Sequence, residues 1–371
     1  MEKTKLKNFI TQIRGVSYKP KDISEEATED HIGLLRADAL QKNNILFDNL
    51  IYVHKDRVKK DQILRKGDIL VATSSGSIDV VGKTAQFIFS KNPVTLGAFC
   101  KILRPSNVDP SFIKYFFQTR YYKQTIRHLA AGANINNIRT NDLDNLDIYI
   151  FSKEYQELAS KILGNVENLI KNRKEQIQAY DDLIESLFFE MFGNPITNSK
   201  HFKTNKFINV VRLKRGYDLP VKSRVGNKYE VYGSNGVLDG HNEFKVEEAG
   251  VITGRSGTIG KVFRNEGMYW PLNTTLYSEK TYGNNVIFLE YLLKNFKLDR
   301  FATGTGVPTL NRNIVHKEEI IEVPIELQNK FADYVLKIEE EKKKLNSSLL
   351  DLENLFDSLM ENAFSGNLFK D

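Results

Sequence analysis

Two pairs of polar loops carry the side chains of this sequence that are best suited to chemistry. Each half of the chain has a loop rich in Ser, Thr and Gly and a later loop rich in Asn. Arg offers a fork of donors that matches guanine O6 and N7 or a phosphate, and the Asn amide pairs a donor with an acceptor, which suits adenine. Ser and Thr can bond base edges or backbone, and Lys suits phosphate. The candidates for nucleic-acid contact are Ser74, Ser75, Ser77, Lys83, Asn134, Asn136, Asn137 and Arg139 in the first half, and Asn235, Arg255, Ser256, Thr258, Lys261, Asn311, Arg312 and Asn313 in the second.

Each of these candidates also has a structural interpretation. An Asn in such a loop can be a turn residue that tolerates left-handed backbone. Lys83 and Lys261 can be solvated surface charges. Arg255 and Arg312 lie beside glycine-rich turns, which favours a contact with DNA over a structural role.

Motifs for catalysis are absent from the sequence. No two of the nine prolines are adjacent and none precedes an aspartate, which excludes the Asn/Asp-Pro-Pro-aromatic motif of adenine methyltransferases and the Pro-Asp motif of metal nucleases. The segment from Gly76 to Lys83 has five residues between its glycines where a phosphate loop needs four, and the spacing of Gly254, Gly257 and Gly260 does not fit a dinucleotide fingerprint. The six histidines are scattered, so we expect no metal site and no catalysis by this chain.

The longest periodic stretch, residues 153–192, predicts a single helix whose apolar seam recurs near the C-terminus. Its seam residues are spaced alternately four and three apart, which is a heptad pattern. Each member of the second seam lies 172 positions after its counterpart, and both copies end near a glycine suited to a left-handed cap, Gly193 and Gly366. The first seam is Ala159, Leu163, Val166, Ile170, Arg173, Ile177, Tyr180, Ile184 and Leu187, and the second is Phe331, Val335, Ile338, Lys342, Leu345, Leu349, Leu352, Phe356 and Leu359.

A narrow apolar stripe on so long a helix needs a partner, and the two seams suit each other. Because each helix follows its own lobe, antiparallel pairing would place the lobes at opposite ends of a coiled-coil spacer, related by an approximate two-fold axis. Arg173 and Lys342 interrupt the seams, and each either reaches solvent at the seam edge or meets a carboxylate of the partner helix and fixes the register. The predicted organisation is a first lobe at 1–151, a first spacer helix at 152–193, a second lobe at 194–325, a second spacer helix at 326–365 and a tail at 366–371.

The second lobe repeats the order of the first. Glycines and core aromatics recur, while the polar residues of the loops differ. In the first lobe we predict strands at 68–72 and 85–89 and a short helix at 110–118. The predicted correspondences are Gly15 with Gly216, Pro20 with Pro220, loop 73–83 with 254–261, the apolar run 112–117 with 288–293, and loop 132–139 with 306–313.

Charge is distributed unevenly along the chain. The net charge is +6 over 371 residues, yet residues 153–192 carry −3 and residues 326–363 carry −4, so the lobes together carry +13. Basic lobes beside acidic helices favour nucleic acid as the partner over a generally basic protein. No apolar run approaches eighteen residues and the start lacks a signal peptide, so we expect a soluble cytoplasmic protein with no membrane contact. Its single cysteine, Cys100, is expected in the core.

Two basic lobes, each followed by a heptad helix, resemble the specificity subunit of a type I DNA restriction-modification enzyme. The octapeptide Gly-Arg-Ser-Gly-Thr-Ile-Gly-Lys at 254–261 and the helix end Phe-Gly-Asn-Pro at 192–195 belong to this resemblance, which covers nearly the whole chain. It implies an α/β (α+β) fold with two similar target recognition domains, each reading one half of a split site in double-stranded DNA. It also implies that the helices dock two copies of a DNA methyltransferase (modification) subunit, and that a restriction/translocase subunit joins them. S-adenosylmethionine, ATP and Mg would then be bound by those partners and not by this chain.

Two other functions stay open at this point. The chain could be a coiled-coil scaffold whose lobes bind protein, with incidental DNA contact and little dependence of binding on salt. It could also be the recognition half of a single-chain restriction enzyme, although it has no room for a catalytic domain. If it reads DNA, lobes that enter major grooves on one face of the duplex would place the half-sites about one helical turn apart.

Overall fold

The computed structural model describes residues 2–41, 43–77, 79–131, 137–304 and 306–369. The chain divides into two compact units, of which the first comprises Met1–Asn172 and Leu349–Asp371 and the second comprises Arg173–Ser348. Each unit therefore contains a sheet-rich lobe and one half of each long helix. The predicted mixture of helix and sheet, with a repeated lobe, is confirmed.

The lobe of the first unit is built on two four-stranded sheets. Its strands are β1 (Glu2–Lys5), β2 (Ile10–Arg14), β3 (Ile23–Ser24), β4 (His31–Leu35), β5 (Leu40–Gln41), β6 (Asn44–Ile45), β7 (Ile51–His54), β8 (Ile69–Ala72), β9 (Thr84–Gln86), β10 (Val94–Leu96), β11 (Cys100–Pro105) and β12 (Asp147–Ile150). Its helices are α1 (Pro110–Phe116), α2 (Arg120–Ala131) and α3 (Thr140–Asp144), and the first long helix is α4 (Lys153–Phe192). One sheet has the order β2-β11-β8-β9 and is antiparallel, and the other has the order β10-β4-β7-β3 with a parallel pair β10–β4.

The lobe of the second unit repeats the main features of the first, although its second sheet has three strands where the first lobe has four. Its strands are β13 (Thr204–Lys206), β14 (Arg212–Arg215), β15 (Tyr229–Gly233), β16 (Gly236–His241), β17 (Gly250–Gly254), β18 (Val262–Asn265), β19 (Tyr269–Pro271), β20 (Thr275–Lys280), β21 (Ala302–Thr303), β22 (Thr309–Leu310) and β23 (Glu319–Ile321). Its helices are α5 (Phe207–Val210), α6 (Val286–Phe296), α7 (Arg312–Val315) and the second long helix, α8 (Ile325–Ser365). The antiparallel sheet β14-β20-β17-β18 matches β2-β11-β8-β9, and the parallel pair β15–β19 matches β4–β10.

A glycine marks the same close approach of two backbone segments in both lobes. A Cβ on Gly15 would lie 2.1 Å from the carbonyl oxygen of Gly97, and a Cβ on Gly216 would lie 2.3 Å from that of Leu272. Because no real Cβ tolerates such contacts, only glycine fits at these positions. The predicted correspondence of Gly15 with Gly216 is therefore structural in origin.

A buried glutamine joins each lobe to its long helix. Gln156 accepts a hydrogen bond from the backbone N–H of Asp109 at 2.9 Å, and Gln328 accepts one from Asn285 at 2.9 Å. Asp109 and Asn285 are in turn the N-caps of α1 and α6. Both glutamines are buried, at 3% and 1% exposure. Their amide hydrogen bonds therefore attach α1 to α4 and α6 to α8.

The two long helices run antiparallel within each unit. In the first unit the hydroxyl of Tyr155 donates to the carbonyl of Ala363 at 2.9 Å. In the second unit Lys342 pairs with Asp181, and the rings of Phe188 and Phe331 are 5.7 Å apart. Seam residues near a lobe, such as Leu163, Val166, Ile184 and Val335, are buried, whereas Ile170, Ile177, Tyr180, Leu345, Leu349 and Leu352 are half-buried.

The contact between Lys342 and Asp181 confirms that one interrupting charge of the seams meets a carboxylate of the partner helix. For Arg173 the same role stays a prediction. The helix ends are as predicted, because Gly193 and Gly366 both have positive φ angles, +69° and +77°.

Two local predictions differ from the structure. The strand predicted at 85–89 ends at Gln86; Phe87 is buried, and Ile88 and Phe89 are exposed at 58% and 75%. Helix α2 was not predicted, although its charged and apolar residues alternate with helical spacing. The helix predicted at 110–118 is confirmed as α1, with Phe112, Ile113, Tyr115 and Phe116 buried.

Candidate nucleic-acid interface

In the first lobe, the loop after β8 is held by backbone hydrogen bonds from two directions. The N–H of Thr73 donates to the carbonyl of Phe99 at 2.9 Å, and the N–H of Ile138 donates to the carbonyl of Thr73 at 2.8 Å. Next to them, Ser74 and Asn137 form an antiparallel bridge. The Ser/Gly loop and the end of the Asn-rich loop, which are far apart in sequence, therefore lie side by side.

The second lobe forms the same bonds after β17. The N–H of Arg255 donates to the carbonyl of Thr274 at 2.8 Å, and the N–H of Leu310 donates to the carbonyl of Arg255 at 2.8 Å. Ser256 and Thr309 form the bridge. We call these two sets the loop frames, composed of Thr73, Ser74, Phe99, Asn137 and Ile138 in the first lobe and of Arg255, Ser256, Thr274, Thr309 and Leu310 in the second.

The loop frames correct one predicted correspondence. The sequence pairing of loop 132–139 with 306–313 makes Arg139 the counterpart of Asn313. The hydrogen bonds instead equate Asn137 with Thr309, so Arg139 corresponds to Asn311, and both are N-caps, of α3 and α7. The prediction was wrong by two residues because Gly132 aligns with Gly306 in one register and with Gly304 in the other, and only the bridges of the folded chain set the register.

Several residues of the loop frames differ in type between the two lobes. Three of five frame positions change type: Thr73 to Arg255, Phe99 to Thr274 and Asn137 to Thr309. Backbone hydrogen bonds do not depend on side-chain identity, so the same scaffold can carry two different sets of side chains.

The polar candidates of the first lobe surround its loop frame. The hydroxyl of Ser74 donates to Oδ1 of Asn137 at 2.8 Å, and the N–H of Ser77 donates to Oγ of Ser75 at 3.2 Å. Lys83 is exposed. Arg139 is also exposed, at the start of α3, while Asn134 and Asn136 lie outside the described residues.

Arg255 is the most firmly positioned candidate in the second lobe. Besides its two backbone bonds, its Nε donates to the carbonyl of Asn273 at 2.8 Å. Burial and then the positive charge of Arg215 lower the pKa of Arg255, although the guanidinium remains charged. Arg255 and Arg215 place two positive charges near each other, with the carboxylate of Asp218 acting in the opposite direction. A pair of cations of this kind suits an anion such as DNA.

The other candidates of the second lobe are divided between exposed and structural positions. Nζ of Lys261 donates to Oδ1 of Asn235 at 2.7 Å, and both residues are exposed. Oδ1 of Asn311 accepts from the N–H of Asn313 at 3.0 Å and caps α7, whose first residue is Arg312. Since the Oδ1 atoms of Asn137, Asn235 and Asn311 already accept internal hydrogen bonds, two-point recognition of adenine would require these contacts to open. Ser256 and Thr258 are half-buried.

His316, which follows α7, makes the second lobe sensitive to acid. Its Nε2 accepts a hydrogen bond from the N–H of Leu213 at 3.0 Å, which requires a neutral ring. Burial, and then the charges of Arg312 and Arg212, lower the pKa of His316. The unfolded chain therefore binds a proton more readily, and stability is lost as the pH falls below about 6.5, the pKa of an unperturbed His.

We expect His316→Gln, which keeps an acceptor at this position, to flatten the decline of unfolding free energy between pH 6.5 and 5. Trp270, the single tryptophan, lies in the second lobe and reports urea unfolding by its fluorescence. The control is His201→Asn, because His201 is exposed with φ of +57°, which Asn tolerates. An unchanged pH profile in His316→Gln would contradict the assignment.

Sequence reasoning missed a cleft beside the first loop frame. It has a volume of about 770 Å³, and its lining includes Ser74, Ser75 and the exposed aromatic Phe99. Tyr18 and Arg36 also line it. No periodicity marks these residues, since they lie in turns between strands that only the folded chain brings together.

Other kinds of site are not found in the described part of the chain. No group of three or more His, Cys, Asp or Glu residues there could hold a metal ion. None of the described helices combines the length and apolarity needed to span a bilayer. Cys100 is buried, and burial raises the pKa of its thiol to about 12, so it is an unreactive core residue.

Comparison with known proteins identifies similar sequences over part of the chain. Residues 7–179 match the family described as type I restriction modification DNA specificity domain. The specificity subunit of the type I restriction enzyme StySPI from Salmonella potsdam is 33% identical over 178 residues, which are 47% of this chain and 38% of that protein. The EcoKI specificity subunit of Escherichia coli K12 is 30% identical over 198 residues, which are 53% of this chain and 42% of that protein. The matched region thus spans about two fifths of these relatives.

Similarity of fold extends over nearly all of the chain. The crystal structure of a type I restriction-modification S subunit from M. genitalium superposes with a TM-score of 0.61 at 17% identity, covering 98% of this chain and 96% of that one. A structure from a study of complex assembly and conformational transition of the type I R-M system gives a TM-score of 0.59 at 12% identity, covering 99% and 98%. The predicted resemblance to type I specificity subunits is confirmed, in sequence for residues 7–179 and in fold for the whole described chain.

Proposed function

We propose that this chain is a sequence-specific double-stranded DNA-binding specificity subunit of a type I restriction-modification complex. Each lobe reads one half of a bipartite target. The observation that carries this proposal is the repeated loop frame, which keeps its backbone hydrogen bonds but carries Thr73 and Phe99 in one lobe and Arg255 and Thr274 in the other. A scaffold duplicated for stability alone has no reason to carry a large apolar side chain in one frame and a cationic one in the other.

In this proposal the chain performs no catalysis and binds no cofactor. S-adenosylmethionine, ATP and Mg are bound by a DNA methyltransferase subunit and a restriction/translocase subunit, and the complex acts in the cytoplasm, where foreign DNA arrives. The matches to specificity subunits and the basic charge of the lobes support these assignments.

The proposal is tested by selection from a pool of random DNA duplexes, using the full-length chain alone and together with its methyltransferase subunit. Enrichment of two short specific blocks separated by a constant spacer is expected. Affinity should also fall steeply with salt, because phosphate contacts release counterions. If no sequence is enriched and the affinity for DNA does not change with salt, the result would favour the protein-binding scaffold instead.

The long helices supply the docking surface for two methyltransferase copies. Leu183 in α4 is 49% exposed, and Leu355, which lies 172 positions later in α8, is 46% exposed. Apolar residues exposed at equivalent places on two helices suit two copies of one partner. Leu350 is 59% exposed, but its counterpart is the polar Gln178, so it has no such equivalence.

We expect Leu183→Glu and Leu355→Glu each to weaken the binding of one methyltransferase copy by about tenfold, since each change removes an apolar contact that docking would bury and adds a charge. The mass of the complex, measured by light scattering, should fall by one copy in each variant. Leu350→Glu is the matched control and should leave both copies bound. Loss of both copies from either single change would contradict two independent docking sites.

A further inference from the structure

Phe99 is the most exposed large side chain of either loop frame. Its exposure is 70%, and it lines the cleft beside Ser74 and Ser75. A phenylalanine side chain that stays in water lacks the roughly 2 kcal/mol of stabilisation that burial would give it. The exposure of Phe99 therefore requires an explanation.

The fold does not explain it, because the second lobe performs the same structural task with a different residue. The carbonyl of Phe99 accepts from the N–H groups of Thr73 and Ser74 at 2.9 and 3.0 Å. In the second lobe the carbonyl of Thr274 accepts from the two equivalent N–H groups at 2.8 and 3.2 Å. A small polar side chain is thus sufficient at this position.

Thr73 and Phe99 are hydrogen-bonded across the first frame, as Arg255 and Thr274 are across the second. The large side chain is on the second residue of the pair in the first lobe and on the first residue in the second lobe. In the first lobe Thr73 is buried, at 4% exposure, and its hydroxyl donates to the carbonyl of Phe99, so the large side chain is on the second position. In the second lobe Arg255 occupies the first position and the half-buried Thr274 the second. Each frame therefore presents one large side chain, which is apolar in the first lobe and cationic in the second.

The chemistry of a base edge then identifies what Phe99 would meet. In the major groove the only apolar group that a base presents is the C5-methyl of thymine, and Phe is among the side chains that contact it. Phe99 lines the same cleft as Ser74 and Ser75, which are themselves candidates for DNA contact.

Given the DNA-reading function proposed above, we infer that Phe99 is a specificity-determining residue of the first lobe and that it reads a thymine methyl group in the half-site bound there. It is the functional counterpart of Arg255, on the opposite side of the same hydrogen-bonded frame. The first half-site therefore contains a thymine at which removal of the methyl group weakens binding.

The experiment first selects DNA with the full-length wild-type chain and then replaces each thymine of the selected half-sites by uracil, which lacks the methyl group. Wild-type binding should weaken about fourfold at one thymine of one half-site, the effect of one buried methylene-sized group. Phe99→Ala should bind thymine and uracil there equally, and Phe99→Leu should keep the preference because its side chain remains apolar.

Phe89 provides the matched control, since it is 75% exposed in the same lobe and does not line the cleft. Phe89→Ala should retain the thymine preference in full. The inference is overturned if Phe99→Ala discriminates thymine from uracil as the wild type does, or if Phe89→Ala loses the preference equally. Failure of the wild-type chain to select any split site would instead overturn the proposed function together with this inference.

Discussion

Replacing Arg264 with Met is expected to lower the free energy of unfolding of the second unit by about 3 kcal/mol. Its Nη1 donates to Glu290 at 2.8 Å and to Glu339 at 3.0 Å, and so connects β18, α6 and α8. Burial by itself disfavours the charge, but the hydrogen bonds and charges of Glu339 and Glu290 raise the pKa of Arg264 above its ordinary value. Without the guanidinium, Glu339 loses its counterion while Lys294 still contacts Glu290.

The loss is measured by urea unfolding followed through the fluorescence of Trp270. Arg212→Met is the matched control, because Arg212 pairs with Glu279 at 3.1 Å with both side chains partly exposed, and Lys214 remains beside Glu279. Exposed pairs of this kind contribute less than about 1 kcal/mol. Adding Glu339→Gln to Arg264→Met should recover part of the loss. Equal effects of Arg264→Met and Arg212→Met would contradict the role assigned to Arg264.

In the first unit the equivalent glutamate is paired differently, because the neighbouring short helix carries a lysine where the second unit has Glu290. This difference explains why the sequence did not predict the contact of Arg264. Glu167 lies 172 positions before Glu339 and accepts a hydrogen bond from Tyr115 at 3.0 Å, while Lys114 pairs with it directly. The residue of α6 equivalent to Lys114 is Glu290, so the second unit requires Arg264 from the neighbouring sheet. A repeat in sequence shows which positions correspond but not how a reversed charge is compensated.

The long helices could be predicted because their signal is local. Heptad spacing, the offset of 172 residues and the terminal glycines are all read along the chain without knowledge of its folding. The same offset relates Gln156 to Gln328, so the sequence also contains a signal for that buried pair. The amphipathic spacing of α2 is a local signal of the same kind.

The loop frames could not be predicted in detail, because their bonds join residues far apart in sequence. Nothing near Thr73 in the sequence indicates that its neighbours are Phe99 and Ile138. The composition of the loops did predict that Arg255 and Ser74 would lie at a polar surface, but not which side-chain atoms remain available there. The Oδ1 atoms of Asn137, Asn235 and Asn311 accept hydrogen bonds within the protein, and only the tertiary structure shows this.

Arg255→Ala is expected to weaken binding to the preferred DNA by about 1–3 kcal/mol, or about 5- to 150-fold, and to relax the preference at one base of the second half-site. Its backbone is fixed by Thr274 and Leu310 and its Nε by Asn273, so its remaining donors are held in a defined place. Because the forked guanidinium of Arg255 is already held in place, it loses little conformational entropy when it donates to guanine O6 and N7. A relaxed requirement for one base is the signature of that contact.

Lys261→Ala is the matched comparison, because Lys261 is an exposed cation a few residues away whose flexible chain suits phosphate. We expect it to weaken all sequences alike and to reduce the slope of log affinity against log salt by about one. Arg255→Lys separates charge from geometry: it keeps the cation but loses the fork, so it should relax the same base as Arg255→Ala. Binding assays against single-base variants of the selected site measure all three. If Arg255→Ala and Lys261→Ala weakened every sequence equally, Arg255 would be a phosphate contact, and the second lobe would have to read its half-site through other side chains.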